Sequence, residues 1–232
     1  MTERRADLNG RGVFISFEGT EGSGKTTQMR LLVERLRGMG FTVTENQEPG
    51  ATTIGRHIRR ILLNPAHQEM APMTELLLMF ASRAQAASEI IIPALGRSEI
   101  VVTDRFTDST LAYQGAGRGL GFETVLQAHR LALGSLFPDL TICIAIDVET
   151  GLERAYRRNL KNEKDASEAR LDRQSLEFHL GVSKGYQRIA ELEPQRFRMV
   201  DGEGEPAAVA GRVWAEVSPL LSRLADPRIP IR

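Results

Sequence analysis

The residues with the clearest chemical meaning lie in "GTEGSGKTT", Gly19 to Thr27, directly after the apolar run "VFISFE". Their spacing is Gly, four residues, Gly-Lys-Thr. Holding a phosphate requires many donors converging on a small concave space. Glycines let successive backbone N–H groups turn inward, and the helix that follows adds the positive end of its dipole. Gly19, Gly22 and Gly24 supply the curl, while Thr20, Glu21, Ser23 and Thr27 complete the loop. Lys25 is placed to reach the β- and γ-phosphates of a nucleoside triphosphate, and the Thr26 hydroxyl to ligate Mg²⁺. A second cluster closes "EIVVTDRF": Asp104 suits the metal shell, directly or through water, and Arg105 points a cation into the same cleft.

The surroundings of these residues narrow the chemistry. A GTPase needs a guanine-reading Asn-Lys-x-Asp, and the sequence has none. A motor-type ATPase ends its acidic strand in Asp-Glu, whereas this strand ends in Asp-Arg. An arginine there is badly placed to activate water and well placed to hold a second anionic substrate. The expectation is a kinase.

The elements that must position these groups follow from periodicity. Apolar runs of strand length alternate with amphipathic, helix-length segments, as in a parallel sheet covered by helices. Strands are predicted at 13–18, 41–45, 99–104, 140–147 and 196–201, and helices at about 24–38, 52–63, 73–96, 122–133, 149–161, 174–192 and 206–224. The 232 residues, 41% hydrophobic, suit one domain over residues 12–225, with a short extension at 1–11 and a loose tail at 226–232. Thirty basic residues balance thirty acidic ones, so no global charge draws the chain to nucleic acid or to an anionic membrane. No secretory leader and no membrane-spanning run is read. The single cysteine, Cys143, sits in the core-like run "TICIAI" and excludes an internal disulfide, which suits a reducing cytoplasm.

Five further segments join the loop in one ordered pattern. They are "EPGAT" (48–52), "LLLMFASRAQ" (76–85), "DRFTDSTLAYQGAGRGL" (104–120), "FPDLTICIAID" (137–147) and "SLEFHLGVSKGY" (175–186). Together with "FEGTEGSGKTTQ" (17–28) they resemble the thymidylate kinase family across about residues 12–215. The resemblance implies an α/β, three-layer P-loop NTPase fold with a five-stranded parallel sheet flanked by helices. It implies ATP-dependent phosphorylation of dTMP to dTDP, with Mg²⁺, by a homodimer whose face the long helix 73–96 would supply. It further implies that Phe80 stacks on thymine, Arg83 bonds the base edge, Arg105 grips the acceptor monophosphate and Pro49 bounds the base pocket. Ser109, Tyr113 and Gln114 would line the sugar and base side, with Tyr113 crowding a ribose 2′-hydroxyl, and Glu21 would orient the sugar or a metal-bound water.

Phosphoryl transfer asks for alignment and neutralised charge more than for covalent chemistry. The acceptor phosphate oxygen is the nucleophile and is already ionised at neutral pH, so no strong base is sought. His57, His67, His129 and His179 show neither metal nor triad spacing. The loop carries no arginine, and the charged segment at 154–173 holds Arg154, Arg157, Arg158, Arg170 and Arg173. That segment reads as a lid from which Arg158 or Arg170 closes on the ATP phosphates. The glycines of "QGAGRGLG" (114–121) read as a flexible connection beside the acceptor pocket.

Four positions depart from the family pattern: Gln47, Ala51, Phe106 and Ala169. Two alternatives stand beside the dTMP reading. One is a P-loop kinase for dUMP, dCMP or a nucleoside; the other is a nucleotide-binding module that has lost catalysis.

Overall fold

A computed structural model describes residues 12–161 and 167–225. The predicted extension at 1–11, the tail at 226–232 and residues 162–166 of the lid segment lie outside the described residues. Five strands form one sheet: β1 (Val13–Glu18), β2 (Val43–Gln47), β3 (Ile100–Asp104), β4 (Leu140–Ala145) and β5 (Phe197–Asp201). All pairs are parallel and the order is β2-β3-β1-β4-β5. β1 and β3 are buried at every residue, as their mostly apolar runs require of strands covered on both faces. β2 begins later than the predicted 41–45 because the Phe41 N–H still bonds the carbonyl of Leu36, which ties the chain to the preceding helix end.

The helices are α1 (Lys25–Gly38), α2 (Thr53–Leu63), α3 (Pro72–Ala86), α4 (Thr107–Thr110), α5 (Phe122–Leu133), α6 (Val148–Lys161), α7 (Leu176–Leu192) and α8 (Pro206–Ala225). α3 continues through a π-type turn, Ala87–Ile91, into Ile92–Gly96, and α4 continues as a π-type turn over Leu111–Gly117. Two apolar clusters make the layers. On one face Met29, Leu32, Val33 and Leu36 of α1 meet Val213 and Val217 of α8 over Ile15, Phe17 and Val102. On the other, Leu76, Met79 and Phe80 of α3 meet Leu111, Tyr113, Val125, Phe178, Val182 and Tyr186. The predicted three layers are present. By length and composition α3 with its extension is able to cross a membrane, but here it packs against α2 and α5.

In the segment read as a flexible connection, 114–117 are helical and packed, whereas Gly119 and Gly121 lie in an exposed bend. A Cβ on Gly117 would lie 2.8 Å from the Phe178 ring, and one on Gly185 would lie 2.9 Å from Ala112 Cα. Gly117 and Gly185 therefore bring the α4 extension against α7, a contact that a strand-and-helix pattern read along the chain does not contain.

Register fixes where the chemistry sits. Phe17 pairs with Asp104 across β1 and β3, and Gln47 pairs with Asp104 across β2 and β3. The C-terminal ends of three neighbouring strands thus arrive at one level and release Glu18, Glu48 and Arg105 at the same edge, where parallel sheets place their ligands.

Candidate active site

β1 delivers the chain into the phosphate loop, whose glycines adopt positive φ: 143° at Gly19, 68° at Gly22 and 88° at Gly24. A Cβ on Gly22 would lie 2.1 Å from the carbonyl oxygen of Gly151, so the crest of the loop rests on the first turn of α6 too closely for any side chain. Gly24 gives α1 no side-chain cap, which leaves its first N–H groups for an anion. Thr26 Oγ1 donates to Asp104 Oδ2 at 2.9 Å, and Lys25 Nζ lies 3.9 Å from Asp104 Oδ1. Thr20 Oγ1, Ser23 Oγ and Asp104 Oδ1 are buried without a hydrogen-bond partner among the described residues. Burial, with the Arg105 charge added, draws the Lys25 ammonium below its usual range. Buried oxygens that no protein group satisfies, beside a cation, suit a loop that binds a polar ligand.

Arg105 follows with a φ of 71°. Its Nη1 donates to Ser109 Oγ at 3.0 Å and Tyr186 Oη at 3.4 Å, and its Nη2 to Tyr113 Oη at 3.0 Å and Glu21 Oε1 at 3.2 Å. The Tyr113 hydroxyl donates to Glu21 at 2.7 Å. Burial alone would raise the Glu21 carboxyl, but His179, Arg105, Lys25 and Tyr113 together hold it down to about 2. Deeper in, Arg83 is 2% exposed, with Nε on Glu48 at 2.5 Å and Nη1 on Thr110 Oγ1 at 2.9 Å. Burial pushes Glu48 up against the opposing pull of Arg83. Gln114 Nε2 donates to Glu75 at 2.8 Å. One cavity of about 560 Å³ is lined by the loop from Glu21 to Thr27, by Asp104 and Arg105, and by Arg83, Ser109, Tyr113 and Gln114.

That geometry is a cleft for two anions, and the relatives agree. The sequence model of the thymidylate kinase family matches residues 17–213. The chain belongs to the thymidylate kinase family. It is 50% identical over 206 residues to the thymidylate kinase of Pelobacter propionicus, covering 89% of this chain and 94% of that one. It is 45% identical over 218 residues to the thymidylate kinase of a Synechococcus strain, covering 94% and 100%. Among solved structures, the thymidylate kinase of Ehrlichia chaffeensis superposes with a TM-score of 0.69 at 31% identity, over 91% of this chain and 99% of that one. The predicted fold class, a five-stranded parallel sheet flanked by helices, holds.

Within the thymidylate kinase framework, three predicted residues stand elsewhere. Phe80 does not line the cavity; it is buried in the α3 core, its ring 6.3 Å from that of His129 and 5.2 Å from the Arg83 guanidinium. Met79 lines the cavity instead. Met79 and Phe80 stand four and three residues before Arg83, and both spacings share its helical face, so spacing alone does not choose between them. Arg170 is a second correction. It is 1% exposed, donates to the Leu62 carbonyl and pairs with Glu75 at 2.6 Å, so it ties the end of the lid segment to α2 and α3. Arg154 and Arg158 line the cavity from α6, and Arg158 pairs with Asp172 at 3.1 Å. Pro49 is not a cavity residue; its carbonyl accepts from Arg59 Nη1 at 2.7 Å, and Arg59 lines the cavity. Glu48, Thr110 and Arg59 were missed because their roles depend on partners from distant segments.

Proposed function

We infer that the chain transfers the γ-phosphate of ATP to dTMP, giving dTDP, a step of dTTP synthesis. The observation that carries this reading is the shared cavity, in which the phosphate loop and the arginine pair Arg83 and Arg105 face one space. Asp104 joins the two sides, bonded to Thr26 and adjacent in sequence to Arg105. An acceptor phosphate oxygen forms a bond to the γ-phosphorus as the bond to the β,γ-bridging oxygen breaks, and ADP leaves. Lys25 neutralises charge on the donor and Arg105 on the acceptor. Arg83 fixes the base edge, with Met79 as the apolar wall and Ser109, Tyr113 and Gln114 along the sugar and base side. Glu21 sets the height of Tyr113 and Arg105 through its hydrogen bonds.

The unpartnered Asp104 Oδ1 beside the Thr26 hydroxyl fits Mg²⁺. Thr26 would ligate it and Asp104 would hold its shell, directly or through water; bound there, it would supply positive charge to the donor phosphates. From α6, Arg158 closes on those phosphates. Met73, Leu77 and Ile92 leave an apolar face on α3 and its extension exposed, and this face pairs two copies in a homodimer; a monomeric mass in light scattering would refute that. The free, buried Cys143 suits a cytoplasmic enzyme.

The test is ADP release from Mg-ATP with dTMP, dUMP, dCMP, dGMP or thymidine as acceptor. dTMP should be fastest and dUMP slower by about 10–200-fold, the value of one methyl group in a pocket. A different preferred acceptor would overturn the base-side assignments, and ATP binding without turnover on any of them would favour the non-catalytic module.

A further inference from the structure

Glu18 ends β1, immediately before the phosphate loop, and is fully buried. Four donors converge on its carboxylate. Oε1 accepts the Phe106 N–H at 2.7 Å and the Ser16 hydroxyl at 2.9 Å, while Oε2 accepts the Ser109 hydroxyl and, at 3.1 Å, the Tyr186 hydroxyl. These donors come from β1, from the junction of β3 with α4, from α4 and from α7. A buried carboxylate is retained against its desolvation cost only where such donors satisfy it.

Three of these bonds bear on Arg105. Ser109 and Tyr186 are the hydroxyls that Arg105 Nη1 donates to, at 3.0 and 3.4 Å. With their hydrogens committed to Glu18, the hydroxyls turn lone pairs to the guanidinium, since each carries one O–H and two acceptor sites. The third bond clamps the peptide that follows Arg105, whose φ of 71° is unfavourable for a residue with a side chain. The backbone of Arg105 and one arm of its fork are thus held from a single carboxylate.

We propose that Glu18 is a positioning residue for the acceptor phosphate, fixing Arg105 through Phe106, Ser109 and Tyr186 so that the guanidinium is aimed before dTMP arrives. The proposal rests on the reading of Arg105 as the acceptor cation. Its position next to Gly19 means that the same strand end sets both the donor loop and the acceptor arginine, which fixes the spacing between the two phosphates.

The experiment compares Glu18→Gln, Tyr186→Phe, Arg105→Ala and the double variant Glu18→Gln/Arg105→Ala, each measured for kcat, KM for dTMP, KM for ATP and thermal midpoint. Glu18→Gln should raise KM for dTMP about tenfold, the lower end of what outer-shell partners contribute, with KM for ATP changed less than about twofold. Tyr186→Phe removes only one link, and about a threefold rise in the same KM is expected from it, the weight of a single hydrogen bond. That variant also serves if Glu18→Gln fails to fold. The double variant should be no worse toward dTMP than Arg105→Ala alone, because residues acting through one another are not additive. If Arg105→Ala raises KM for dTMP but neither Glu18→Gln nor Tyr186→Phe does, the positioning role is wrong. Equal losses toward ATP and dTMP, or a fall in thermal midpoint with unchanged kinetics, would reduce Glu18 to a structural residue. If Arg105→Ala leaves KM for dTMP unchanged, the reading of Arg105 itself fails.

Discussion

The two sides of the cleft are prepared in opposite ways. On the donor side Thr20 Oγ1, Ser23 Oγ and Asp104 Oδ1 are buried without hydrogen-bond partners among the described residues. On the acceptor side both arginines are already matched, Arg83 with Glu48 at 2.5 Å and Arg105 with Glu21 at 3.2 Å. A phosphate loop is short and local, and it can wait for a ligand that brings its own charge and metal. A guanidinium drawn from a separate strand end is costly to bury alone, so a carboxylate holds it until the substrate arrives. Under the proposed assignment dTMP shares these cations with Glu21 and Glu48, which ties acceptor binding to the state of two buried carboxylates.

The largest expected effect would break the comparison at the lid. Arg158→Ala should lower kcat by about 10³-fold or more, as for other arginines that reach a transferring phosphate. Arg170→Ala should leave the turnover of folded enzyme within about threefold while costing about 3 kcal/mol of stability, because it strips one cation from buried Glu75. Steady-state ADP release and denaturant unfolding of the two variants separate the roles; a kinetic loss confined to Arg170→Ala would reverse them. Next, Lys25→Ala should lower kcat by about 10²–10³-fold, comparable with removing one preorganised donor to a developing charge. Single-turnover rates at saturating ATP and dTMP would show whether chemistry, rather than binding, carries the loss.

Smaller effects sharpen the acceptor side. Met79→Ala should raise KM for dTMP roughly tenfold, in the range of a few buried methylenes, with little change for ATP. Phe80→Ala should instead cost about 3–5 kcal/mol of stability, the usual value for emptying a core aromatic. A KM effect from Phe80 and none from Met79 would restore the aromatic-stacking expectation. Last, Glu18 and Glu21, three residues apart, should titrate in opposite senses. Burial first, and the Asp108 charge second, push Glu18 up to about 7 despite Arg105 and its hydrogen bonds. A carboxyl raised on folding loses stability as pH climbs from its unfolded value of 4.5 to 7. Glu21, held at about 2, contributes stability above pH 4.5 that is lost as pH falls toward 2. Each shift corresponds to about 3 kcal/mol. Relative to wild type, Glu18→Gln should gain thermal stability at pH 8 and lose that advantage at pH 5, whereas Glu21→Gln should be least stable near neutrality. Parallel pH curves for both variants would contradict the assignment.

The phosphate loop was legible because its parts are contiguous: a glycine pattern, a lysine and a threonine between an apolar strand and a helix. Asp104 and Arg105 were legible as the end of the next buried run. The α4 extension was not. Its residues "LAYQGAG" are rich in small side chains, and its helicity rests on the face it presents to α7. Arg170 was misread for a related reason, since a basic residue in a charged segment gives no sign of the buried Glu75 waiting 95 positions earlier.

By itself the sequence determined the five strands, the longer helices between them, the phosphate loop and the Asp104-Arg105 pair at a strand end. Those features depend on neighbours in the chain, on alternation and periodicity, and on glycines where the backbone must curl. Only the tertiary structure decided which of Met79 and Phe80 faces the cavity, that Arg170 is buried in the core, and that Glu18 reaches Arg105 through the hydroxyls of two helices. Adjacent helical positions point about 100° apart, so the side chain that meets a cleft is chosen by how the helix docks. Docking is the sum of contacts between segments that the linear sequence keeps far apart.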